Sequence, residues 1–233
     1  MKNLFAAPAL SLLLCLIAPQ LSADDRRVVV ELYTSQGCSS CPPADELLHR
    51  LSKRDDVIAL SLHVDYWDYI GWKDIFGRPE HTDRQKAYAR VAGSRTIYTP
   101  QMVIGGVDHI VGAHPMDVME TLDWHKSQPA KVKLTAKLVD GTVTISAPPA
   151  NGIGETVVQL VRFVPEASVA IRRGENAGRT LTYANIVTAW EIIGTWTGEQ
   201  PLEISAPVTG EEQAVAILQL DGHRAILAAD LVD

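Results

Sequence analysis

Cysteine is scarce: the chain has three in 233 residues, at positions 15, 38 and 41. That excludes a disulfide framework, and with 46% hydrophobic residues a core of ordinary size forms without one. Basic runs are missing too. No block of five or more Lys and Arg occurs, and the formal net charge is −7. Nucleic acid and anionic membrane surfaces are therefore excluded as partners. No H-E-x-x-H, no G-x-S-x-G and no glycine-rich loop behind a strand is present. Each of those motifs places a specific catalytic or phosphate-binding group, so the chemistries that need them have no anchor, and no cofactor is expected.

A long apolar run occurs only at the N-terminus. Lys2 precedes an apolar stretch at 4–17, and "APQLSA" offers Ala23 as a cleavage site before Asp24. The stretch is too short for a comfortable membrane span. Residues 1–23 are expected to be a secretory signal, with an uncleaved anchor as the alternative. Leu14 is too large for a lipoprotein site, so Cys15 leaves with the signal. The mature protein is then periplasmic or secreted, without stable membrane insertion. Cys38 and Cys41 are its only thiols, in a compartment where disulfides persist.

Residues 26–34 (RRVVVELYT) and 56–64 (DVIALSLHV) are apolar, β-branched runs that predict buried strands. Between them, 43–53 carries apolar residues at 44, 47, 48 and 51, the stripe of an amphipathic helix opened by Pro43. Strand, helix and strand at this spacing imply a parallel pair. Residues 82–93 are expected to be helical, with Thr82 and Gln85 at capping-box spacing. Residues 100–112 form a hairpin around Gly105-Gly106, and 114–126 a closing helix. After residue 130 the texture changes to short alternating runs with turn signals, as in KVKLTAKLV, ETVVQLVRF, ASVAIRR, PLEIS and AVAILQL. These predict an all-β, sandwich-like domain at 131–233, joined to a first domain at 24–128.

Cys38 and Cys41 form a C-x-x-C pair at a strand-to-helix turn. Unpaired N–H groups at a helix start favour a thiolate, which makes Cys38 the expected nucleophile on an exposed turn and Cys41 the covered, resolving thiol. Pro42 biases Cys41 away from helical dihedrals. An inert staple and a metal site remain open. A staple of this size closes too small a loop to stabilise much. His63, His81 and His109 fall at no spacing that demands coordination. Each is expected to be exposed, although Cu(I) held by both thiolates stays possible.

The order strand, C-x-x-C, helix, strand, helix, Thr99-Pro100, hairpin, helix resembles the thioredoxin fold over residues 28–126. That resemblance implies an α/β thioredoxin-like N-terminal domain. It further implies that Pro100 is cis, that Thr99 offers its backbone to a substrate, and that Glu31, offset by one residue, serves as a buried acid relaying a thiol proton. The alternative for Glu31 is a side chain reaching solvent. Gly37 departs from the tryptophan usual before the first cysteine. More closely, VVELYTSQGCSSCPPAD, HVDYWDYIGWKD, YTPQMVIGG and RGENAGRTLTY together resemble a secreted bacterial family, domain-of-unknown-function family 1223.

The aromatic segment with Tyr66, Trp67, Tyr69 and Trp72 reads as a substrate-binding wall beside the cysteines or as a local aromatic core. Residues 171–185, with Arg172, Asn176 and Arg179, read as a loop that meets a partner or the first domain, or as a self-contained turn network. The function expected is thiol–disulfide exchange through Cys38 and Cys41, with a protein or small-molecule thiol or disulfide as partner. The alternative is a non-enzymatic periplasmic protein that binds a partner protein or Cu(I). Intact mass of the exported protein is expected to lack residues 1–23 and two thiol hydrogens; two alkylatable thiols after purification without reductant would refute the pairing.

Overall fold

All seven residues of the first strand, β1 (Val28–Thr34), are buried. Both of its faces are covered, which is why the segment is uniformly apolar instead of alternating. The structure is a computed structural model that describes residues 27–233; the expected signal at 1–23 lies outside the described residues. From β1 the chain turns through the cysteines into helix α1 (Pro42–Leu51) and returns as β2 (Val57–His63). β2 is parallel to β1, in register from Val28↔Val57 to Thr34↔His63. Helix α2 (Pro79–Val91) follows, then β3 (Gln101–Ile104), β4 (Asp108–Val111) and helix α3 (Pro115–Ser127). β3 runs antiparallel to β1 on the side away from β2. α2 starts at Pro79, earlier than expected, and the Thr82 hydroxyl donates to Asp65 (2.6 Å) instead of capping the helix.

The second half supplies β5 (Thr135–Val139), β6 (Thr142–Ala147), β7 (Thr156–Ala170), β8 (Thr180–Trp196), β9 (Leu202–Pro207), β10 (Gln213–Leu220) and β11 (Ile226–Leu231). Here the expected fold class fails. An α/β thioredoxin-like domain followed by a separate all-β sandwich-like domain is not what forms. The protein is mostly β. Strands of both halves make one eight-stranded mixed sheet, β11-β10-β7-β8-β2-β1-β3-β4, beside a three-stranded sheet, β5-β6-β9. The physical reason is the free edge of β2. A parallel strand with an open edge exposes unpaired N–H and C=O groups, and β8 takes that edge through the Ser61↔Ile186 pairing. A second join comes from the hairpin, where the Ile226 N–H donates to the Gly105 carbonyl (2.8 Å).

Three apolar clusters result. α1 and α3 cover one face of β1 and β3, around Val30, Leu32, Leu48, Met102 and Leu122. The opposite face is continuous across both halves, from Val29, Tyr33 and Leu60 to Phe163, Val187 and Ile217, with Tyr88 of α2 against it. The three-stranded sheet packs on β7 and β10 through Val143, Ile145, Val158, Leu160 and Leu218.

A buried polar network crosses the middle cluster. Glu31 on β1 has no exposure and accepts from Arg84 Nε (2.7 Å), Arg84 Nη2 (2.9 Å), Tyr33 Oη (2.9 Å) and Tyr88 Oη (2.6 Å). Arg84 Nη2 also donates to Gln219 of β10 (3.1 Å), and its guanidinium lies 3.7 Å from the Trp190 ring of β8. One ion pair thus ties β1 and α2 to β8 and β10. Arg84→Met leaves Glu31 buried and unpaired, and is expected to destabilise the protein by about 3–5 kcal/mol in urea unfolding. The double variant Glu31→Gln, Arg84→Met is expected to recover part of that loss.

Candidate functional site

Cys38 and Cys41 are joined by a disulfide, with their Cα atoms 5.4 Å apart. Cys41 is the N-cap of α1 and has helical dihedrals despite the following proline. The helix start differs from the expected thiolate cradle. Its first two residues are Pro42 and Pro43, which have no N–H to offer. The next two donors, the N–H groups of Ala44 and Asp45, both go to the Cys41 carbonyl (2.8 and 3.1 Å). The polar contact at sulfur comes from within the motif, where Ser40 Oγ lies 3.4 Å from Cys38 Sγ. Exposure also differs from expectation. Ser39 and Ser40 are exposed, yet Cys38 is 1% and Cys41 0% exposed.

Two segments close over this turn. In the first, Trp67 donates to Thr99 Oγ1 (2.7 Å) and Trp72 donates to Gln36 Oε1 (2.8 Å). A side chain at Gly37 would meet Ile70 and Trp67, at 3.2–3.3 Å from its Cβ. That crowding explains the departure at Gly37 from the tryptophan usual in thioredoxins. The second segment is the β7–β8 connection. Buried Asn176 donates through Nδ2 to the carbonyls of Cys38 (2.9 Å) and Gln36 (3.0 Å) and accepts from Arg179 (3.0 Å). The loop therefore packs on the cysteine turn, the sequence alternative in which it meets the first half of the chain.

A buried acidic centre lies on the α1 side. Asp45 accepts from Thr34 Oγ1 (2.7 Å) through one oxygen, and its other oxygen has no partner. Burial pushes this carboxyl up to about 7, with the His63 charge opposing. His63 has no exposure and pairs through Nδ1 with Asp74 (2.7 Å), while its Nε2 is unpartnered. Burial opposes charge on Asp74, but His63 and the N–H groups of Gln36 and Phe76 hold its carboxyl below the ordinary range. The Tyr183 ring stands 4.7 Å from that of His63, and its buried hydroxyl is also unpartnered. Buried polar atoms without partners mark places for ordered water. An open groove of about 320 Å³, lined by Pro42, Asp45, His49, Arg179 and Thr182, connects Asp45 to the surface. Clefts of about 800 and 780 Å³ lie elsewhere and include neither cysteine. Among the described residues no three of His, Cys, Asp and Glu gather as a metal site.

The sequence matches the family described as Protein of unknown function (DUF1223) over residues 29–219. The chain belongs to the DUF1223 family. It is similar to protein AGR_C_4864 of Agrobacterium tumefaciens, known from a crystal structure, at 33% identity and a TM-score of 0.77, covering 88% of this chain and 93% of that one. It also shares its fold with HBP35 of Porphyromonas gingivalis, at 11% identity and a TM-score of 0.57, covering 88% and 74%. No curated protein matches it.

In this DUF1223 chain the other expected residues divide. Thr99-Pro100 is a cis peptide. A side chain at Gly112 would meet Ala44, Leu32 and Pro100, so Gly112 separates Pro100 from the first turn of α1. Trp67 reaches Thr99, whereas the Tyr66 hydroxyl turns to Gln85 of α2 (3.2 Å), and burial pushes its pKa up to about 12. Glu31 is not the relay beneath the pair: it faces α2, away from α1, saturated by four donors. The expected exposure of the histidines also fails, since His63 and His81 are buried and His109 is half-buried. The sequence reading missed Asp45 and Asp74. Asp45 had a signal: it stands one helical turn after Cys41, in the same row as buried Leu48.

The raised carboxyl of Asp45 fixes a sign. Between its ordinary value near 3.8 and about 7 the folded state binds the extra proton, so this group's contribution to stability falls as pH rises through that window. Asp45→Asn is expected to remove a slope of up to about 1.4 kcal/mol per pH unit. Urea unfolding at pH 4.5 and pH 7.5 measures it; equal slopes for variant and parent would refute the assignment.

Proposed function

We propose that this protein exchanges thiols and disulfides through Cys38 and Cys41. The observation that supports the reading best is the pair at the start of α1, with the cis Thr99-Pro100 segment beside the first turn of that helix and Asp45, its carboxyl raised by burial, one turn on. This retains the thioredoxin-like chemistry implied by the motif, without the fold class first expected. In the oxidising direction a partner thiolate attacks Cys38 Sγ. The partner–Cys38 bond forms, the Cys38–Cys41 bond breaks, and Cys41 leaves as a thiolate. Asp45, one helical turn on, with its carboxyl pushed up by burial to about 7, is the group assigned to supply its proton. A second partner thiolate then attacks the mixed disulfide at the partner's sulfur. Partner disulfide and Cys38 thiolate are released, and the two electrons of the partner dithiol reside in the reduced pair. The reverse runs through the same atoms. We also propose export by residues 1–23, which places the pair where disulfides persist. Partners are thiols or disulfides of proteins or small molecules, meeting the wall at Trp67 and Thr99.

Burial of both sulfurs favours a second reading, in which the pair is inert and the chain is a binding scaffold for a partner protein. The two readings part at access. Exchange requires residues 171–179 to lift, because Asn176 holds the carbonyl of Cys38. Mature protein is expected to be reduced by dithiothreitol while folded, and Asn176→Ala to be reduced at least about fivefold faster, a modest change for one buried two-bond contact. Cys41→Ser is expected to accumulate mixed disulfides at Cys38. A pair reducible only in denaturant would leave the scaffold reading standing.

A further inference from the structure

We infer that Ser40 is a catalytic residue whose hydroxyl stabilises the Cys38 thiolate, in the place where a helix start would otherwise supply N–H groups. The inference rests on the exchange reading and deepens it. It begins from what surrounds the sulfur. A thiolate at the head of a helix draws its stabilisation from the first-turn donors and the dipole they terminate. In this helix Pro42 and Pro43 have no N–H, and those of Ala44 and Asp45 are committed to the Cys41 carbonyl. The Cys41 N–H is committed too, to the Cys38 carbonyl (3.2 Å), and the Gly37 N–H goes to Ser35 Oγ (3.1 Å). Every main-chain donor from Gly37 to Asp45 with a recorded bond thus points to oxygen. Among the described residues, the one hydrogen bond at either cysteine sulfur is the 3.4 Å contact between Ser40 Oγ and Cys38 Sγ.

A disulfide sulfur carries no hydrogen, so in the oxidised protein the hydroxyl is the donor. When the Cys38–Cys41 bond breaks by two-electron reduction, negative charge develops on whichever sulfur is held as the thiolate. A donor already aimed at Cys38 needs no rearrangement to meet it, and a hydrogen bond to a charged acceptor is roughly twice as strong as one to a neutral acceptor. Ser40 therefore acts more on the reduced than on the oxidised state, and on Cys38 more than on Cys41, which among the described residues has no donor at its sulfur. The pair is made asymmetric by a side chain instead of by the helix end. Ser39, its neighbour, is exposed as well, and among the described residues the sulfur's hydrogen bond comes from Ser40 and not from Ser39, which makes Ser39 the natural control.

The experiment uses the mature full-length protein with Cys41→Ser, so that one thiol titrates, and follows ultraviolet thiolate absorbance against pH, a readout that needs no reagent to reach the buried sulfur. Ser40→Ala is expected to lower the thiolate fraction at a fixed pH below the midpoint about tenfold, as expected for one charge-assisted bond. Ser40→Thr, which keeps the hydroxyl, is expected to restore it, and Ser39→Ala to match the parent. With both cysteines present, equilibration against reduced and oxidised glutathione is expected to show Ser40→Ala favouring the disulfide by a similar factor. Identical titrations for Ser40→Ala and Ser39→Ala would overturn the assignment, as would a Ser40→Thr that fails to restore it. Failure of the exchange reading looks different: the titrations shift as expected, yet the wild-type pair does not equilibrate with glutathione.

Discussion

A carboxylate on a central strand, enclosed on both faces, is among the most costly groups a fold can contain, because its charge has lost water on every side. Glu31 occupies such a position, and Arg84 neutralises it from α2. The pair needs more than itself. Tyr33 and Tyr88 complete the carboxylate, while Gln219 and the Trp190 ring complete the guanidinium. Those groups come from β1, α2, β8 and β10, so satisfying one charge fixes α2 against strands from both halves. The site inherits that placement. Gln85, next to Arg84, donates to the Tyr98 carbonyl (2.7 Å) and to Gln101 (2.8 Å) and accepts from Tyr66. Through these contacts α2 sets the wall that brings Trp67 to Thr99.

Periodicity revealed the first half well. The strands at 26–34 and 56–64, the helix between them, the Gly105-Gly106 hairpin and the closing helix all announce themselves within a dozen residues, because each is a local pattern of burial. β8 did not. Its sequence, TLTYANIVTAWEIIGTW, has no clean alternation, includes Asn185 at φ 47°, and meets β7 with register shifts near Gln159 and Phe163. Yet β8 is the strand that closes on β2. Whether a later strand extends an earlier sheet or starts its own is decided by a partner more than a hundred residues away, and no local pattern records that choice. The expected sandwich failed there, although the three-stranded sheet does make two-layer packing with β7 and β10.

The cysteine pair was legible because its motif and spacing are local, and the cis state of Pro100 was implied by the thioredoxin resemblance. The acid was not. Strand parity decides it: Glu31 falls on the face with Val29 and Tyr33, toward α2, while Thr34 meets Asp45 on the α1 side. A one-residue change of phase along a strand sends a side chain to the opposite face. An acid named from its distance to a cysteine along the chain therefore carries no information about the face it serves. His63 shows the same limit, since a histidine ending an apolar strand gives no sign that Asp74, from an irregular loop, will be buried against it.

The two faces of the sheet thus divide the electrostatic work. Toward α2 the charges are paired and every lone pair of Glu31 is engaged, an arrangement that resists change. Toward α1, Asp45, His63 and Tyr183 each keep one polar atom without a partner among the described residues, and the Asp45 carboxyl, raised by burial, can take up or release a proton when a neighbour changes charge. Opening the disulfide is such a change, because it creates a thiolate beside α1. Pro42 and Pro43 deny that thiolate the usual help of the helix end. What remains is local: a serine hydroxyl at one sulfur, and, one helical turn from the other, a carboxyl that burial pushes up to about 7. In the exchange proposed for this pair, proton supply and the covering loop would govern the reaction more than the dipole of the helix the pair begins.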